Sequence, residues 1–148
     1  MQLNHYLNFQ GQTEQAFIFY QSVFGDEFAM ISRYGDMPPT EGVTLSKANK
    51  SLILHISLPI NEFTALMGSD INDQFCAPNS VFTQGNNHYI AINLENDETE
   101  ARRLFNQLKK PSGAHYMVLS PINSGSNGWS IVNLMLDKSH LWTKKAEP

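Results

Sequence analysis

Two histidines stand at matching places in this chain. His5-Tyr6-Leu7-Asn8-Phe9 and His88-Tyr89-Ile90-Ala91-Ile92 each open on His-Tyr, alternate like a strand, and lead after a turn into a helical segment, residues 16–23 and 101–108. An imidazole on a strand can ligate a metal or move a proton near neutral pH. On an apolar face it is more simply a half-buried residue bonded to backbone or water. His5 shares its face with Leu3, Leu7 and Phe9, and His88 with Ile90, Ile92 and Leu94, which favours the simpler role. Two histidines alone hold an ion loosely, because a stable catalytic site has three protein ligands.

The other chemistry-bearing residues also admit two readings. Asp70 closes Leu66-Met67-Gly68-Ser69-Asp70, where its carboxylate can orient a polar ligand group, act as a base, or cap the following turn. Met67, Phe9, Phe63 and Phe82 can line an apolar pocket or form plain core. His55 sits between Leu54 and Ile56, as expected of a core or interface residue. The lone Cys76, in Phe75-Cys76-Ala77-Pro78, has no neighbouring base and no CxxC companion, so it reads as an incidental thiol. No nucleophile, base and orienter set and no Gly-rich phosphate turn is visible.

The elements that must position these groups follow from periodicity. Residues 2–9 alternate as a strand, and Gln10-Gly11-Gln12 turns the chain. Thr13 is expected to cap a helix that runs to Phe24 and stops at Gly25. Apolar stretches at 28–31, 52–58 and 63–67 follow, divided by the Gly35-Asp36-Met37-Pro38-Pro39 loop and a turn at 59–62, so the first half reads β-α-β-β-β. Residues 71–87, rich in Asn, Asp, Gln, Gly and Pro, read as a linker. A strand at 89–94 and a helix from Asn96-Asp97-Glu98 to about Lys110 come next, then strands at 116–119 and 131–136. The chain is one domain over 1–148, with a first module at about 1–70 and a second at about 88–148.

Composition bounds the function. With 148 residues and 41% hydrophobic content, the chain can bury a core. A net charge of -4, with no basic cluster beyond Lys109-Lys110 and Lys144-Lys145, predicts no nucleic-acid partner. The absence of a basic start followed by an apolar run, and of about 18 consecutive apolar residues, predicts neither export nor a membrane partner. One cysteine suits a reducing compartment, so a cytoplasmic location is expected.

The segments Leu3 to Gly11, Ala16 to Gly25, Arg33-Tyr34-Gly35-Asp36-Met37-Pro38 and Leu66 to Asp70 resemble the PhnB-like branch of the vicinal oxygen chelate superfamily, which includes glyoxalases, bleomycin-resistance proteins and extradiol dioxygenases. Asn86-Asn87 and the helix from Glu100 extend the likeness over about residues 1–110. The resemblance implies an α+β, glyoxalase-like fold, with two βαβββ modules whose strands curl around a shared cavity, and a homodimer. It implies no single reaction. Metal-dependent members carry His and Glu or Gln on the first and last strands of each module. His5 matches the first such position, while the segment around Ile90 puts Tyr89 where a ligand would stand, in place of His88. The last strands offer no carboxylate before Asp70 and Asp137. The expectation is therefore a small-molecule ligand held by His5, Met67, Asp70, His88 and Tyr89, with no cofactor. The alternative is a divalent metal on His5 and His88 serving a lyase or dioxygenase. After Ile122 the chain departs from the family pattern and keeps only Asp137-Lys138 and a displaced Trp142.

Overall fold

The structure is a computed structural model that describes residues 2–77, 81–83, 90–94, 97–108, 118–121 and 129–132. The chain is α+β and falls into two compact units, Met1–Phe82 and Thr83–Pro148.

The first unit runs β1 (His5–Phe9), α1 (Thr13–Phe24), β2 (Met30–Arg33), a single 3₁₀ turn (Tyr34–Asp36), α2 (Lys47–Ser51), β3 (Ile53–Asn61) and β4 (Thr64–Asp70). The four strands form one mixed sheet in the order β1-β4-β3-β2, with β1 parallel to β4 and the other pairs antiparallel. Cross-strand neighbours share a face, so the register sorts the side chains into two sets. On one side lie the rows His5–Leu66–Leu58 and Leu7–Gly68–Ile56, together with the pair Phe9–Asp70. This is the side α1 covers: Phe9, Ile56 and Leu58 are fully buried, and Phe9 meets Phe17 edge-on at 6.4 Å. A Cβ on Gly68 would stand 2.6 Å from the Phe17 ring and 2.8 Å from the Leu7 carbonyl, so glycine is what lets the helix sit this close.

Helix α1 buries Ala16, Phe17, Tyr20 and Val23 and ends as its sequence predicts. Gly25 is left-handed at φ +89° and donates its N–H to the Gln21 carbonyl at 2.8 Å. Its start differs from the expected Thr13 cap. Gln12 holds the cap position without a side-chain bond, and Thr13 is the first helical residue. The acceptor that the helix start needs comes from Asp70, 57 residues further along the chain.

The second unit runs β5 (Ala91–Leu94), α3 (Glu98–Leu108), β6 (Val118–Pro121) and β7 (Trp129–Val132). Its described strands form an antiparallel sheet in the order β5-β7-β6. In the first unit two strands separate the strand after the helix from the one before it; in the second, among the described strands, one does. Among the described residues no helix is long and apolar enough to cross a membrane.

Candidate ligand-binding face and cavities

The side of the first sheet opposite α1 carries a different set of residues. Tyr6, Met67, Ser57 and Met30 form one row across all four strands, and Asn8 pairs with Ser69 and His55 with Ser32 beside it. Tyr6 Oη lies 3.1 Å from His55 Nδ1, with the rings tilted and 5.7 Å apart. With the phenol donating to Nδ1, the neutral imidazole carries its one proton on Nε2, which is its donor for a ligand. Ser69 donates its hydroxyl to Asn8 Oδ1 at 3.0 Å. Tyr6 is 45% exposed, Met30 and Asn8 are exposed, and Met67 and His55 are half-buried. The face thus offers neutral hydrogen-bonding groups among thioethers and one aromatic ring, which suits a small polar molecule with an apolar part.

Of the residues singled out in the sequence, the described ones do not all share one face. Met67 stands on this face. His5, half-buried, stands on the other, in the row beneath α1, because strand alternation puts it on the same side as Phe9. Asp70 is also on the helix side and only 3% exposed. Its Oδ1 accepts from Gly11 N at 2.9 Å, Thr13 N at 3.1 Å and Thr13 Oγ1 at 2.6 Å, and its Oδ2 accepts from Ile53 N at 2.8 Å. Of the roles read for Asp70, capping is the one this geometry performs, though at the start of α1 and not at the turn after β4. His88 and Tyr89 lie outside the described residues. Among the described residues no three His, Cys, Asp or Glu side chains gather to hold a cation.

The Tyr6–His55 pair escaped the sequence reading. Alternation does put Tyr6 opposite His5, but only the register of β1 on β4 and of β4 on β3 brings it to His55.

Two cavities of the first unit lie past the ends of these strands. One, of about 310 Å³, is lined by Asn8, Ser69, Asn72, Cys76 and Phe82 among others and continues the open face. Phe82 thus has the pocket role considered for it, whereas Phe9 is core and Phe63 is exposed. Cys76 is exposed there and donates its thiol to the Asn72 carbonyl at 3.4 Å. The other, of about 300 Å³, lies against the loop at 37–45. Tyr34 and Phe75, stacked at 5.2 Å and 25°, line both. The Tyr34 phenol donates to the Asp70 carbonyl at 3.2 Å. Burial, and after it the charges of Cys76, Tyr6 and Asp70, push that phenol above the ordinary tyrosine value.

By these features the chain is an α+β protein with a helix-backed mixed sheet whose other face is polar and open. It is similar to the crystal structure of protein PA1353 from Pseudomonas aeruginosa, with 29% identity over 82% of this chain and 80% of that one, at a TM-score of 0.57. No family model and no curated protein matches the sequence.

Proposed function

We propose that the protein is a PhnB-like member of the vicinal oxygen chelate superfamily that binds a small molecule on the open face of its first sheet, without a tightly held metal. The observation that carries this reading is the face itself: Tyr6 and His55 in contact, with Asn8, Ser69 and Met67 beside them, on the side of a β-α-β-β-β sheet that α1 leaves uncovered. The likeness to PA1353 over four-fifths of both chains supports the α+β fold on which the proposal rests. Two glyoxalase-like modules around a common cavity, a homodimer and a cytoplasmic location belong to the same proposal.

The metal-dependent alternative gains no support from His5, which faces the helix-covered side. Binding therefore rests on hydrogen bonds from Tyr6, His55 and Asn8 and on apolar contact with Met67.

A thermal-shift screen of small hydroxy, oxo and phenolic compounds tests the reading, using the wild-type chain and Tyr6→Phe and His55→Gln variants. A compound that raises Tm for wild type, with the rise halved or lost in both variants, is the expected result. A rise that is unchanged in both variants would overturn the assignment of the site.

A further inference from the structure

We propose that the cavity against the 37–45 loop is a separate binding site, selective for a small carboxylic acid with a ring-sized apolar body. Its volume of about 300 Å³ is at the lower end of ligand pockets. Tyr34 and Phe75 give it a stacked aromatic wall, and Met37, Pro38, Val43 and Leu45 complete an apolar lining. Lys50 is the one charged residue among those that line it, and no Asp or Glu is present there to neutralise it. None of the ion pairs among the described residues uses Lys50. A lysine on the wall of an apolar, aromatic-walled space can bring its flexible ammonium onto an anion whose remaining surface is hydrophobic, a charge-assisted contact that a neutral ligand does not make.

The site is built before any ligand arrives. Gln74 donates its side-chain amide to the Thr44 carbonyl at 3.2 Å and accepts from Asn49 Nδ2 at 3.4 Å, tying the loop to α2. Ser46 caps α2 by accepting from Asn49 N at 3.1 Å. A Cβ on Gly35 would lie 2.9 Å from the Lys50 carbonyl, so the 3₁₀ turn and α2 are in close contact. Through its hydroxyl, Tyr34 is fixed to the end of β4. A site held in this way loses little freedom on binding. The cavity shares Tyr34 and Phe75 with the pocket that continues the open face, but none of Tyr6, His55, Asn8, Ser69 and Met67 lines it, so variants at Lys50 and at Tyr6 tell the two sites apart.

The test uses the full chain carrying ¹³C-methyl methionine, with the Met37 methyl signal as a reporter inside the cavity. Benzoate is expected to shift that signal saturably with Kd of about 1 mM or tighter, and benzyl alcohol to bind at least about tenfold more weakly. Lys50→Met should abolish the preference for the acid. Phe75→Ala should weaken both ligands, and Tyr6→Phe should change neither. Lys50 is exposed, so its substitution leaves the fold intact, which circular dichroism verifies. Equal binding of acid and alcohol, unchanged benzoate affinity in Lys50→Met, or no saturable shift of Met37 would overturn the proposal.

Discussion

Helices α1 and α3 occupy matching places in the internal repeat, yet they are held in opposite ways. Helix α1 presents a broad apolar face, Ala16, Phe17, Tyr20 and Val23, and its start is secured from across the sheet by Asp70. Helix α3 buries only Ala101, Leu104 and Leu108 and is supported by its own surface. Asp97 caps it by accepting from Glu100 N at 2.8 Å, and Arg102 and Arg103 pair with Glu98 and Glu100 at 2.6 and 2.5 Å. A repeat in sequence thus preserves where an element goes, not what stabilises it. A wide buried face takes its order from the sheet; a narrow one needs local caps and ion pairs.

The largest expected effect separates these two modes of support. Asp70→Ala strands four donors, three of them backbone N–H groups, and should cost the first unit roughly 3 kcal/mol or more in urea unfolding, with hydrogen exchange of the α1 amides accelerated first. Next in size is Gly68→Ala. The added methyl meets the Phe17 ring and the Leu7 carbonyl, and overpacking of this kind costs about 1–3 kcal/mol, read from the same unfolding curves. Asp97→Ala removes a local cap from α3 and should cost about 1 kcal/mol, with exchange faster in α3 and unchanged in α1.

Two smaller effects sharpen the contrast. The Tyr20 hydroxyl is fully buried and has no hydrogen-bond partner among the described residues, so Tyr20→Phe should be neutral or stabilising by up to about 1 kcal/mol, as a higher Tm would record. Arg103, by its hydrogen bond and then by its charge, holds the Glu100 carboxyl below the usual glutamate value. A lowered carboxyl stabilises the fold above its ordinary titration and loses that contribution as pH falls through the folded value. The protection factors of the α3 amides, referred to the intrinsic exchange rate at each pH, should therefore fall on acidification in the wild type, and Glu100→Gln should flatten that dependence; added salt should do the same, because the pair is partly exposed.

Much of the first unit was legible in the sequence. The alternation of β1, the stop at Gly25, and the division of Thr64 to Asp70 into a face with Leu66 and Gly68 and a face with Met67 and Ser69 are local patterns, and local patterns survive folding. Helix α2 had a usable signal too, in Ser46 ahead of Lys47-Ala48-Asn49, but five residues carry little periodicity. What stayed hidden was long-range. Asp70 as the cap of α1 depends on parallel pairing with β1, and the meeting of Tyr6 with His55 depends on the registers of β1 on β4 and of β4 on β3. The repeat itself misled in detail: Tyr20 is fully buried while Phe105 is only half-buried, and Phe19 is half-buried while Leu104 is buried. Each helix thus buries a different side of the repeated pattern within its own unit.

Ligand binding on the open face that carries Tyr6, His55 and Met67, as proposed above, can be followed at methionine methyl groups. The chain has six methionines, of which Met30 and Met67 report on that face and Met37 on the loop cavity. Methyl spectra of methionine-labelled protein, recorded with the best compound from the thermal-shift screen, test the claim most directly. A saturable shift of Met67 and Met30 with Met37 unmoved is the predicted result. A shift confined to Met37, or to methionines outside the first sheet, would contradict it.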